Sequence, residues 1–150
     1  MRNKLWAGLG LASLLIVVGG VTVASASSDI TTPKTIHFVA RQTSFTYVDV
    51  GKKGASDGDY IVATEDDFQG GKNIGHDAFK CTFIQADTLC EAVYVFAQGQ
   101  ITTQGDVLPP ARHFNVAVTG GTGSYQNVRG QLTVIPTSPT TANETLHLLP

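Results

Sequence analysis

The stretch FNVAVTGGTGSYQNVRGQLTVI, residues 114–135, carries the fold in miniature. Val128, Leu132 and Val134 share one parity with Gly130 among them, while Arg129, Gln131 and Thr133 share the other. A strand with that spacing has one apolar and one polar face. A glycine inside it permits the sharp coiling that a small barrel needs. The same grammar extends outward in both directions: short runs rich in Val, Ile, Phe, Tyr and Thr, punctuated by Gly, Asp, Asn and Pro, without helical spacing. Strands are expected over 36–41, 45–50, 60–65, 79–84, 89–97, 100–104, 114–119, 125–135 and 144–149. Such strands avoid open edges by closing on themselves, and about eight of them enclose a space that side chains fill or one small ligand occupies. The expectation is therefore an all-β fold, a small antiparallel β-barrel, with a two-sheet sandwich as the alternative closure.

Upstream, Arg2 and Lys4 precede an apolar run over 5–18 and a small-residue stretch ending at Ala24, Ser25 and Ala26. That is the layout of a secretory signal peptide, with cleavage expected after Ala26. An uncleaved anchor is the alternative, since the run nearly reaches the ~20 residues needed to span a bilayer. Cleavage implies a secreted, extracellular protein without a stable membrane anchor. Its parts are a signal over 1–26, a polar leader over 27–35 and one domain over 36–150. Losing Arg2 and Lys4 takes the net charge from −2 to −4. An acidic chain without a Lys/Arg cluster is a poor nucleic-acid binder. Cys81 and Cys90 are the only cysteines. Export favours their pairing across a hairpin turn at 85–87, against the alternative of two buried thiols. Two cysteines make no zinc site, and no histidine stands at ligand spacing from them.

Several residues invite chemistry. The run from Gly120 to Gly123 lacks both the GK[ST] of a phosphate loop and the third glycine of a dinucleotide fingerprint, so it reads as a turn using positive φ. Tyr47 and Asp49 share one face of a strand. If that face is interior, a shielded aspartate serves as general acid with the tyrosine hydroxyl as donor; if exterior, it is merely solvated. Arg129 could hold a ligand carboxylate or form a surface ion pair. Glu65, Asp66 and Asp67 lack the spacing of a calcium loop and read as a solvated turn. His37, His76, His113 and His147 are scattered, and Asn143 opens a glycosylation triplet with Glu144 and Thr145.

Taken in order, Gly58-Asp59-Tyr60, FQGGKNIGHDAFKC, EAVYVF, GQITTQG and AVTGGTGSYQNVRGQLTV resemble the consecutive blocks of the allene oxide cyclase family. VTGGTGSYQNVRG also resembles the GGTG-aromatic-x-x-x-RG signature of dirigent proteins. The resemblance implies an eight-stranded barrel, often a homotrimer, whose apolar cavity holds one small molecule in a reactive conformation, with no metal or organic cofactor. It places Tyr47 and Asp49 where the plant cyclases carry a glutamate and an asparagine, which argues against plant-type activity on a fatty-acid epoxide. Gln126 stands where the dirigent signature has an arginine, and Arg129 is kept.

Three functions follow. The first is an exported barrel that binds a small apolar molecule and steers its cyclisation or isomerisation by confinement. The second is a carrier with the same cavity and no chemistry. The third is a structural protein with a filled barrel. Phe45, Phe79, Phe83, Tyr94 and Phe96 are expected to line or plug the cavity, with Phe79, Phe83, Tyr94, Phe96 and Arg129 as the ligand contacts and Tyr47 and Asp49 as the catalytic candidates.

Overall fold

A computed structural model of the chain describes residues 32–108 and 112–150; the expected signal segment, and the leader through residue 31, lie outside the described residues. Eight strands close into a barrel, each antiparallel to its neighbours in sequence order: β1 (Lys34–Val48), β2 (Tyr60–Gln69), β3 (Lys72–Ile84), β4 (Asp87–Phe96), β5 (Gly99–Asp106), β6 (Phe114–Gly121), β7 (Arg129–Ser138) and β8 (Thr141–Leu149). The barrel, not the sandwich, is the closure adopted, because β1 pairs with β8 from Lys34↔Leu148 to Arg41↔Thr141.

Period-two alternation sorts the residues. On β8, Ala142, Glu144, Leu146 and Leu148 are buried, while Asn143 and His147 face solvent. Gly70 and Gly71, both at positive φ, turn β2 into β3 in two residues, which glycine alone does without steric cost. Gly130, at φ +145°, brings β7 so close to β8 that a Cβ there would stand 1.9 Å from the His147 carbonyl oxygen. The coiling expected of this glycine therefore has a steric cause.

Two local expectations are revised. The runs 36–41 and 45–50 are one strand, β1, carried through a register shift between Gln42 and Ser44 where Thr43 bulges. A bulge bends a strand without ending pairing, so polar residues in the middle read like a turn. The glycine-rich link between β6 and β7 is longer than a tight turn and holds a 3-10 turn, Gly123–Tyr125, that buries Tyr125.

The two ends of the barrel differ. At one end Ile36, Phe96, Tyr125, Val128 and Leu148 are buried together, with Phe96 and Tyr125 packed edge to face at 6.1 Å, and the barrel is closed. At the other, β1 leaves β8 after Arg41 and runs on to Val48 paired only with β2. This part of β1, the start of β2, the end of β3 and the start of β4 form a projecting lip. Cys81 and Cys90 are directly opposed across β3 and β4, Cα atoms 4.0 Å apart, and joined by a disulfide. Directly opposed residues on neighbouring antiparallel strands bring their side chains within bridging reach.

Candidate functional site

A cavity of about 210 Å³ enters the barrel at the open end. Its rim is Gln42, Pro136 near the end of β7 and the β7–β8 connection at Pro139 and Thr140; its walls include Phe79, Phe114, Val116, Leu132 and Val134. A broader depression of about 580 Å³ crosses the outer face of β2 to β5, past Val62, Ala78, Val93 and Thr102. Only the inner cavity has buried acids on its wall, and those decide where chemistry can occur.

The acids reach the interior because they occupy inward parity. Glu65 and Asp67 alternate with outward-facing residues on β2, Asp77 does so on β3, and Glu144 takes an inward position on β8 between Ala142 and Leu146. The pairings Glu65↔Asp77 and Asp77↔Tyr94 make a continuous row across β2, β3 and β4. The Tyr94 hydroxyl crosses the barrel to donate to Glu144 Oε2 at 2.9 Å. Phe38 packs edge to face against Tyr94, centroids 5.9 Å apart, and supports that reach. Glu65, Tyr94 and Glu144 line the cavity.

Burial penalises the charged forms of these groups. It raises Glu144 to about 8, with the Tyr94 hydrogen bond opposing and the Glu65 and Asp67 charges adding. Burial raises Asp77, reinforced by Glu144, Glu65 and Asp67; it also raises Asp67, and it alone raises Glu65. Tyr94 is raised well above the phenol range, first by burial and then by Glu144. The carboxyl oxygens of Asp67 and Asp77 are buried and find no donor among the described residues. With no donor to hold a charge and other carboxyl groups close by, both favour the protonated form. Glu144, on the cavity wall and raised to about 8, is therefore shifted toward its protonated form, which suits proton donation near neutrality.

The residues singled out from sequence fall into separate places. Phe79 and Tyr94 line the cavity, Phe96 belongs to the closed end, and Phe45, on the projecting part of β1, is exposed and neither lines nor plugs it. Tyr47 and Phe83 meet on the lip, ring centroids 6.3 Å apart. The Tyr47 hydroxyl donates to Asp59 Oδ2 at 2.5 Å, a bond that pushes Tyr47 up to about 12. Asp49 lies beyond β1 and accepts the Gly54 N–H at 2.9 Å. Arg129 is exposed at the closed end, its Nη1 donating to the Val128 carbonyl at 2.8 Å. The acidic run 65–67 is not a solvated turn: it lies in β2, where alternation sends Glu65 and Asp67 inward and Asp66 outward. No group of three metal-ligating side chains occurs among the described residues. Sequence reasoning missed Asp77 and Glu144 altogether. The signal that finds them is a charge standing on the apolar parity of a strand.

No family model matches the chain, and no curated protein matches it. Solved structures do. Pyocyanin demethylase superposes with a TM-score of 0.71 at 28% identity, covering 77% of this chain and 100% of that one. The pterocarpan synthase dirigent protein PsPTS1 superposes at 0.66 with 15% identity, covering 79% and 96%. The Diels Alderase AbmU from Streptomyces koyangensis does so at 0.63 with 15% identity, covering 77% and 63%. The last two likenesses concern the fold alone. By their names the three are a demethylase, a synthase and a Diels Alderase, barrels that act on small molecules.

Proposed function

This chain is a dirigent- and allene oxide cyclase-like barrel, and on that footing we propose that it binds one small, mainly apolar molecule in its open-ended cavity and steers that molecule's cyclisation or isomerisation. One observation carries the reading: Glu144, 4% exposed and held by the Tyr94 hydroxyl, stands on the cavity wall as an acid raised to about 8. Confinement supplies the ordered conformer and removes entropy from the barrier. Glu144 supplies or accepts the proton, and Tyr94 orients it. The volume, about 210 Å³, is below the ~300 Å³ usual for drug-sized ligands. The ligand is accordingly small, or extends through the open end onto the lip beside Tyr47 and Phe83. Export through the segment 1–26, cleavage after Ala26 and extracellular action complete the proposal. So does self-association into a trimer, for which the apolar outer depression at Val62, Ala78 and Val93 supplies a surface; light scattering tests it.

The test incubates the purified domain with extracts of its own producer and follows retained and converted molecules by mass spectrometry. Conversion is expected to fall ~10²- to 10⁴-fold in Glu144→Gln, with retention kept. Retention by the unaltered protein without conversion would replace the enzyme with a carrier. No retained molecule at all would remove both readings.

A further inference from the structure

The ligand's charge can be read one step further, resting on the cavity as a ligand site. Four carboxyl groups, Glu65, Asp67, Asp77 and Glu144, face the barrel interior, and no lysine, arginine or histidine is among the groups that shift them. Asp67 and Asp77 are 0% and 1% exposed, aimed inward, and without a donor for any carboxyl oxygen. The elements around them supply no cation: β1 contributes Phe38, Ala40 and Gln42, β4 contributes Tyr94, and β7 contributes Val134. Buried carboxyl groups without positive partners are costly, and their full complement would be a positive charge brought from outside. The rest of the wall suits the body of such a molecule. Phe79, Tyr94 and Phe114 offer aromatic surface, and cations carried on organic frames are held by aromatic rings as well as by carboxylates.

We propose that the cavity takes a small organic cation, an aromatic or alkylated ammonium with an apolar body, whose positive centre settles beside Glu65 and Glu144 above the aspartate pair, and that its binding expels a proton. The step balances simply. A carboxylic O–H of the cluster breaks, its proton goes to bulk water, and the carboxylate left behind pairs with the cation; nothing is oxidised or reduced. The cavity equals about seven water volumes at ~30 Å³ each, so a one- or two-ring head fills it and the remainder projects through the mouth.

The sign of the pH dependence follows. With the cavity empty Glu144, raised to about 8, holds its proton at neutral pH, so a cation beside it displaces that proton, and affinity rises with pH by up to ~tenfold per unit for one proton released. The rise levels off once Glu144 ionises without help.

The probes are N-methylquinolinium and its uncharged isostere 1-methylnaphthalene, titrated calorimetrically into the full domain between pH 6 and 8.5, in buffers of differing ionisation enthalpy. The cation is expected to bind at least ~tenfold more tightly at pH 8 than the isostere. Its affinity should climb with pH, and the buffer dependence should report a proton released. Glu144→Gln should abolish most of that preference and keep 1-methylnaphthalene binding, which shows the cavity intact. Asp77→Asn provides a second variant should the first fail to fold, and is expected to reduce the proton count. Equal or tighter binding of the isostere overturns the charge assignment while leaving the cavity reading in place. Cation preference without pH dependence overturns the proton release. Binding of neither probe overturns both this proposal and the ligand site on which it rests.

Discussion

Asp59 and Glu144 are both carboxyl groups that solvent scarcely reaches, 0% and 4% exposed, yet the barrel treats them in opposite ways. Asp59, beside the lip, accepts from the Tyr47 hydroxyl at 2.5 Å, the Val50 N–H at 2.7 Å, and the Ser56 N–H and hydroxyl at 2.7 and 3.3 Å. Those donors, Tyr47 first, hold it below the usual carboxylate range. Glu144 has one donor, Tyr94, and burial raises it to about 8. A carboxylate surrounded by donors is committed as an anion, and its work is to tie the loop between β1 and β2 to the strands. An acid stripped of donors keeps its proton and is free to spend it on a ligand. The contrast teaches that coverage alone does not mark a functional acid; the supply of hydrogen-bond donors does.

The comparison can be attacked in order of expected effect. The largest concerns the disulfide that staples the lip. Cys81→Ser with Cys90→Ser should cost roughly 2.5 to 3 kcal/mol of stability in a denaturant melt. It should leave the titration of the floor acids in place, since Glu144 and Asp77 do not depend on the bridge.

Next comes pH. Glu144 is raised above its unfolded value, so the stability it confers is fully present below its ordinary carboxyl range and is lost as pH climbs toward about 8. Melting temperature should drop between pH 5 and 8.5 by on the order of 10 °C, and Glu144→Gln should flatten the slope. Asp59 acts in the reverse sense: its stabilisation is present above its ordinary range and lost as pH falls through its depressed value. A melting temperature that rises from pH 5 to 8.5 would contradict the account of the floor.

Asp59→Asn should follow, lowering the melting temperature by about 5 °C and opening the loop over 49–58 to limited proteolysis. Tyr47→Phe removes one of several donors and is the mildest, with the smallest drop in melting temperature of the series and no change in ligand binding. If Tyr47→Phe abolished ligand conversion while folding normally, the lip would join the reactive site and the division drawn here would fail.

Much of the fold was legible because a strand's period is short and local. The alternation of Leu132 and Val134 against Arg129, Gln131 and Thr133 reappears in β7, where Leu132 and Val134 are buried and Arg129 is exposed, whereas the strand expected from residue 125 begins only at Arg129 and Val128 is buried just before it. The opposition of Cys81 and Cys90 was likewise visible, since an even number of residues around a turn places side chains face to face. The cavity acids were less legible. Their meaning depends on closure, which brings β8 against β1 and lets Tyr94 reach Glu144 across a sequence separation of 50. Glu144 looked like the middle of a glycosylation triplet, and Glu65 and Asp67 looked solvated, because charge in a run is ordinarily a surface feature. Tyr47 did meet a carboxylate, but Asp59, not Asp49: the loop folds back and brings a partner from twelve residues away.

The closed end has a kinetic corollary. With Tyr125, Val128 and Leu148 sealing the far side, the barrel is a cup and not a pipe. On the proposed function, a product formed inside would depart through the same doorway that admits the next molecule. Turnover would then be paced by release, and accumulating product would compete with substrate, bending progress curves well before the substrate is spent.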